Sequence, residues 1–252
     1  MKILLHACCG PCSLEPVRLL HEAGHEITIA YVNSNIYPPE EYTKRSDTLR
    51  AWAQEENIPV IEGLYRPEIW EKRAGHFGIK QETRPNRCRE CYALRLEEVA
   101  SYAKEHGFDA IASTLTVSPY QYTFIIEEEL TRVARQYGLT AVFEDFRPFY
   151  EEATRRSKAL GMYRQNYCGC RISKAEAATE RKERKEQRKA QKEAWRKEHA
   201  SEIAAHKKEI QQRRAEHTAY NKKQARKRAL LKQFKEQQKA QNQKEVALQG
   251  KN

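Results

Sequence analysis

Residues 1–33 read MKILLHACCGPCSLEPVRLLHEAGHEITIAYVN, and this stretch decides the fold. Lys2 to His6 is a short apolar run entering a loop, the pattern of a buried strand. The loop is Cys-Cys-Gly-Pro-Cys-Ser. Pro11 and Ser13 suit a helix start, with Ser13 as the cap whose oxygen accepts free N–H groups. Leu14 to Ala23 has helical spacing in Leu14, Val17, Leu19 and Leu20, and Gly24 ends it. Glu26 to Asn33 alternates and is β-branched, a second strand.

The rest of the body repeats that alternation. A turn leads into a helix that opens at Pro38-Pro39, where proline is tolerated, and runs to about Glu56. Ile58 to Leu64 reads as a strand. Residues 66–87 are polar and irregular, with Trp70 as the apolar anchor. A helix follows from Glu90 to His106, then a strand from Asp109 to Ser113, a helix from Phe124 to Tyr137 closed by Gly138, and a strand from Leu139 to Phe143. The expected class is α/β: a Rossmann-like (nucleotide α-hydrolase-like) parallel sheet with helices on both faces. Such sheets bind ligands at the carboxyl ends of their strands. HACCGPCS (6–13) and STLTVSPYQ (113–121) each follow a strand directly, so two motifs fall on one rim.

Charge divides the chain. The net formal charge is +11 over 252 residues. From Lys174 onward there are 24 Lys and Arg against 11 Asp and Glu; residues 1–173 hold 22 and 24. The excess therefore belongs to the last third, which has no Pro, no Gly before Gly250, and an abundance of the helix formers Ala, Glu, Lys, Arg and Gln. Ile203 and Ile210 fit a heptad that nothing sustains. The expected division is a body at 1–173 and a basic tail at 174–252, either a long exposed helix or disordered. Such a tail attracts polyanions or is simply a solvated extension. No stretch approaches the ~20 apolar residues of a membrane span, and MKILL is too short for a signal peptide. The expected compartment is the cytoplasm, where thiols stay reduced.

All seven cysteines fall in three groups: Cys8, Cys9 and Cys12; Cys88 and Cys91; Cys168 and Cys170. Cys88-x-x-Cys91, read at a helix start, lets two sulfurs converge on an anionic centre. Cys8 and Cys9 offer two more if Gly10 and Pro11 turn the loop sharply. Cys12 is left as a free thiol or as a ligand for a second metal. Four thiolates suit an iron–sulfur cubane, and a zinc site uses the same residues. Cys168-Gly169-Cys170 closes a very small ring, so its disulfide is strained and easily reduced, and it suits reversible two-electron chemistry; two further metal ligands are the other reading. Iron supplies single electrons and a dithiol stores two, which favours iron over zinc.

With HACCGPCS (6–13), NIYPPEEYTKR (35–45), CRECYALRLE (88–97), STLTVSPYQ (113–121), DFRPFYEE (145–152) and MYRQNYCGC (162–170) in that order, the chain resembles the epoxyqueuosine reductase QueH family across nearly all of 1–173. The resemblance implies reduction of the epoxide of epoxyqueuosine to an alkene at the wobble position of transfer RNA, the last step in making queuosine. It implies a [4Fe–4S] cluster on Cys8, Cys9, Cys88 and Cys91, a redox-active pair in Cys168 and Cys170, and a second mononuclear metal, iron, for which Cys12 is the first candidate. It implies as partners a tRNA carrying epoxyqueuosine and an electron donor that the sequence does not name, and no membrane. It does not reach the tail.

Tyr163, Tyr167 and Asp145 are candidate acids for the epoxide oxygen, each with a packing role as the alternative. Arg155, Arg156, Tyr163, Arg164 and Gln165 are candidate grips for an anticodon loop whose modified base leaves the stack; surface charge is the alternative. Two rivals stand beside the reductase. An ATP-using tRNA-modifying enzyme of similar fold needs a Gly/Ser-rich phosphate loop where this chain has HACCGPCS. A non-catalytic zinc-stabilised RNA-binding protein draws on the basic tail.

Overall fold

The structure is a computed structural model that describes residues 1–249, the side chains of Gln81, Phe234 and 236–249 excepted. The chain divides into two compact units, Met1–Lys182 and Glu183–Asn252.

In the first unit the strands are β1 (Lys2–His6), β2 (Glu26–Tyr31), β3 (Val60–Glu62), β4 (Ala110–Ser113) and β5 (Thr140–Ala141). They form one sheet in the order β3-β2-β1-β4-β5, with every pair parallel. The chain winds outward from β1 to β3, then returns to the other side of β1 for β4. The switch point is therefore the gap between the carboxyl ends of β1 and β4, where open α/β sheets take their ligands.

Alternation along the strands fixes the two faces. Ile3 and Leu5 of β1, Ile27 and Ile29 of β2 and Ala112 of β4 meet α1 (Gly10–Glu22), α2 (Pro39–Glu55) and α6 (Tyr150–Ala159). Leu4, Ala30 and Ile111 point the other way, into α4 (Arg84–Glu105) and α5 (Thr123–Tyr137). A strand covered on both sides has no polar face to show, which is why KILLH reads as a continuous apolar run.

Several boundaries differ from the sequence reading. Helix α1 begins at Gly10, not Leu14, and its N-cap is Cys9. Ser13 lies inside the helix, its hydroxyl donating back to the Cys9 carbonyl at 2.9 Å; Pro11 occupies the first turn, where its missing N–H costs nothing. Helix α4 begins at Arg84 rather than Glu90, again with proline in the first turn. Residues 66–87 hold α3 (Pro67–Arg73) and two short 3-10 turns, with Trp70 buried as the anchor. Strands β3 and β5 are shorter than the stretches 58–64 and 139–143.

Two further helices, α7 (Arg171–Glu198) and α8 (Ala200–Gln249), complete the described chain. The first residues of α7 belong to the body: Ile172 is buried beside Trp70, Cys91 and Cys170, and Glu176 pairs with Arg87 of α4 at 2.7 Å. The second unit is helical, with its described side chains almost all exposed. No helix among the described residues is long and apolar enough to cross a membrane.

Candidate functional site

Three segments bring their cysteines to the switch-point rim. The loop after β1 carries Cys8, Cys9 and Cys12; α4 carries Cys88 and Cys91; the irregular segment before α7 carries Cys168 and Cys170. All seven are free thiols.

The β1 loop turns directly from an extended Cys9 into α1. The sulfurs of Cys8, Cys9 and Cys12 consequently all lie within 4.8 Å of one another, and those of Cys8 and Cys9 are 3.8 Å apart. Cys9 is the acidic member. The S–H groups of Cys12 and Cys8 point at its sulfur and hold its thiol well below the usual range, with the Arg45 charge nearby. Cys12, bonded to both Cys8 and Cys9, is pushed up. The helix N-terminus at Cys9 also favours negative charge there.

Cys88 and Cys91 lie one and two turns inside α4, on one face because they are three residues apart. The reading of Cys88-x-x-Cys91 at a helix start is corrected by the early start of α4 at Arg84. Burial pushes the Cys88 thiol up to about 12, and the sulfurs of Cys168, Cys91 and Cys170 add to it. Burial likewise raises Cys91, with Cys168 again close. The CxxC and CGC pairs thus share one electrostatic neighbourhood.

Three arginines, unforeseen in the sequence reading, are buried here: Arg87, paired with Glu176, and Arg45 and Arg95, which hold the cysteine segments. Arg95 follows Cys91 by one helical turn, and its Nε donates to the Cys91 carbonyl at 3.0 Å. Burial works against its charge, and the sulfurs of Cys91, Cys168 and Cys8 around it support that charge only when ionised. Its Nη2 has no hydrogen-bond partner among the described residues. Arg45 of α2 is also fully buried. Its Nε donates to Glu41 at 2.8 Å, and Nη1 and Nη2 donate to the carbonyls of Cys168 and Tyr167 at 2.9 and 3.3 Å. The Cys9 and Cys8 sulfurs support its charge against burial. The Cys91-to-Arg95 spacing of four residues is the available signal for a shared helix face.

Other groups fix the rim. His6 is buried and neutral: burial, with Arg95 nearby, lowers its pKa to about 3. Its ring lies 3.1 Å from Ser113 Oγ and 3.2 Å from the Val32 carbonyl, so it donates Nε2–H to Val32 and joins the ends of β1, β2 and β4. Gly169 has φ +152°, and a Cβ there would sit 3.0 Å from Asn35 Nδ2 and 3.3 Å from Ile36 Cγ1. Only glycine fits between the two cysteines.

The candidate grips and acids fare differently. Gln165 is part of the sulfur site: its Nε2 donates to Cys9 Sγ at 3.0 Å. Arg156 reaches the buried Glu15 at 2.6 Å, Arg155 pairs with Glu152, and Arg164 bonds Thr154 and Ser157. Tyr163 donates to Glu41 at 2.6 Å. Tyr167 donates to the Tyr37 carbonyl, and burial pushes its hydroxyl up to about 12. Arg147 holds the Asp145 carboxyl below its usual range, the opposite of what a general acid needs.

The residues fit an anionic metal centre. Thiolates are the ligands of iron–sulfur clusters and of structural zinc. A buried guanidinium with an unsatisfied Nη2, set among sulfurs, calls for negative charge close by.

A model of the epoxyqueuosine reductase QueH family matches residues 3–176. The chain belongs to this family. Epoxyqueuosine reductase QueH of Staphylococcus epidermidis is 34% identical over 178 residues, covering 67% of this chain and 74% of its own. That of Dehalococcoides mccartyi is 31% identical over 69% of this chain and 93% of its own, and that of Thermotoga maritima 33% over 68% and 89%. A predicted tRNA methyltransferase subunit of Methanocaldococcus jannaschii, a solved structure, shares 13% identity at TM-score 0.43 over 63% of this chain and 74% of its own. The QueH match takes in every cysteine and stops in the first turns of α7.

Proposed function

We propose that this chain reduces epoxyqueuosine to queuosine at the wobble position of tRNA, in the cytoplasm. The supporting observation is the rim itself: where a nucleotide-binding relative of the fold needs a phosphate loop, this chain has a tight set of thiols backed by the buried Arg45 and Arg95. That arrangement also disfavours the ATP-using rival. In the proposed assignment Cys8, Cys9, Cys88 and Cys91 hold a [4Fe–4S] cluster, and Cys12, within 4.8 Å of Cys8 and Cys9, is free for a second metal, iron. When bound, the cluster supplies electrons one at a time.

Reducing an epoxide to an alkene takes two electrons and two protons and releases water. The protein's part is to place the ring, keep bulk water away and hold charge. Arg45 and Arg95 stabilise negative charge at the rim without being able to give up their protons at neutral pH. Cys168 and Cys170 supply two electrons and two protons when they pass from dithiol to disulfide. An unnamed electron donor must restore them.

The deciding experiment is anaerobic purification followed by iron, sulfide and zinc analysis, a visible spectrum, and nucleoside analysis of tRNA carrying epoxyqueuosine after reaction with a strong reductant. The expected result is a brown iron- and sulfide-containing protein that converts epoxyqueuosine to queuosine. Colourless, zinc-containing protein without turnover refutes the proposal and leaves the zinc-stabilised RNA-binding reading.

A further inference from the structure

The two sulfurs of the CGC motif stand in different surroundings. Cys168 is half-buried, and Cys170 is buried. Each accepts one N–H bond. Gln121 Nε2 donates to Cys168 Sγ at 3.3 Å, and the backbone N–H of Ser173 donates to Cys170 Sγ at 3.3 Å.

The bond to Cys168 has a fixed direction. The backbone N–H of Tyr122 donates to Tyr92 Oη at 3.4 Å. The Tyr92 hydroxyl then donates to Gln121 Oε1 at 2.7 Å. With Oε1 thus occupied as an acceptor, the other end of the amide faces the sulfur as a donor. A donor stabilises a thiolate in preference to a thiol. Cys170 immediately precedes α7, and Ser173 is the third residue of that helix. The Cys170 sulfur accepts an N–H that the helix leaves free, as a capping side chain does.

We infer that Cys168 is the sulfur that exchanges with outside thiols, that Cys170 is its leaving and resolving partner, and that Gln121, oriented by Tyr92, is the positioning residue for Cys168. The inference rests on the reading of this pair as redox-active. In the reductive direction an external thiolate attacks Cys168 of the Cys168–Cys170 disulfide. One S–S bond breaks as another forms, and Cys170 departs as a thiolate onto the Ser173 N–H. A second external thiolate then attacks the external sulfur of the mixed disulfide and releases Cys168. Two thiols are oxidised to one disulfide, and the protein disulfide is reduced to two thiols. Access favours this order, because exchange needs in-line approach to the attacked sulfur.

The test uses the full-length protein as purified anaerobically, with glutathione as the external thiol. First, the wild-type protein is oxidised and peptide mass spectrometry checks for a Cys168–Cys170 bond. Its absence removes the redox-pair reading and this inference with it. Then Cys170→Ser and Cys168→Ser are each treated with glutathione disulfide, and the adduct is located and timed. The expected result is fast, stable glutathionylation of Cys168 in C170S and reaction of Cys170 at least about tenfold slower in C168S. Faster reaction at Cys170 overturns the assignment.

Gln121→Glu, nearly the same size, presents an acceptor to the sulfur. In the C170S background it is expected to slow the Cys168 reaction about tenfold, the scale of one hydrogen bond to a charged group, while leaving the Cys170 rate in the C168S background unchanged. A side chain that merely packs would tolerate the exchange. A Cys168 rate that Gln121→Glu leaves unchanged therefore overturns the positioning role, while the order of the two cysteines stands or falls on the adducts.

Discussion

Replacing Arg156 by Met separates a structural from an RNA-binding role for a residue that the sequence offers as a phosphate grip. Glu15 of α1 is fully buried. Its Oε2 accepts two bonds from Arg18, at 2.9 and 2.8 Å, which survive the change. Its Oε1 accepts from Arg156 Nη1 of α6 at 2.6 Å, and this bond is lost. Half of a buried carboxylate is left without its donor, which costs about 1–3 kcal/mol. Arg156 is 29% exposed, so part of its charge is already screened and water can follow the departing guanidinium. These two effects place the expected loss near ~2 kcal/mol. Met keeps the apolar stem, so packing between α1 and α6 changes little. The assay is urea unfolding followed by the fluorescence of the buried Trp52 and Trp70, with the midpoint shift read at constant slope. Arg155→Met, which breaks only an exposed pair with Glu152, serves as the control and is expected within about 0.5 kcal/mol of wild type. If Arg156→Met leaves stability intact and instead weakens tRNA binding with a shallower salt dependence, the ion pair is incidental and the residue faces RNA.

Glu97 gives a pH test: burial opposes its ionisation, but bonds from Arg73 and Arg132 outweigh it and hold its carboxyl below the usual range. Its stabilisation is therefore complete above the unfolded carboxylate pKa of about 4.3 and is lost as pH falls through the lowered folded value. The stability advantage of wild type over Glu97→Gln should shrink below about pH 4, and a gap that stays constant in urea titrations from neutral to about pH 3 refutes it. On the proposed assignment, Cys12→Ala keeps iron–sulfur absorption in the visible and loses any additional iron, whereas Cys88→Ser loses both; visible spectra and elemental analysis of anaerobic protein decide. Truncation after Lys182 removes all of the basic excess, because residues 183–252 hold 21 Lys and Arg against 9 Asp and Glu; a tail that grips phosphates should take with it about 0.7–0.9 units of log–log salt slope per contact, and an unchanged slope in tRNA titrations refutes that role.

How much of this is legible in the sequence follows from what burial does to each pattern. The central strands are readable because both faces are covered, so Ile3, Leu4 and Leu5 are all apolar. Helix α5 is readable because its buried Ile126, Leu130 and Val133 keep helical spacing and Gly138 closes it in the left-handed region. The start of α4 is hidden because the buried position in its first turns is Arg87. A buried arginine breaks an apolar period while obeying the geometry that the period is meant to reveal. Pro67 and Pro85 are the usable signals, since proline in a first turn announces a helix whose apolar face is interrupted. The cysteine grouping shows where chemistry gathers. It does not show Gln121 and Gln165 at the sulfurs, because a lone amide on a loop has no periodicity.

Arg45 and Arg95 carry the last step. Arg45 comes from α2 on one face of the sheet and Arg95 from α4 on the other, and both reach the cysteine rim. Of these two, only Arg45 has a carboxylate partner among the described residues, Glu41. Arg95 has one carbonyl bond, an unpartnered Nη2, and no ion pair among the described residues. A buried cation in that position is costly unless an anion stands beside it. Neutral thiols do not provide one. Four thiolates around a metal do, because their negative charge exceeds that of a divalent ion or of an iron–sulfur core. The arginines therefore argue that the rim is built for a metal-bound, net-negative centre rather than for a pocket of protonated cysteines. On that account Arg95→Met, by removing the buried cation, should weaken metal retention against a chelator while leaving the metal-free protein no less stable, since it is the metal-free state in which the unpaired guanidinium is a burden.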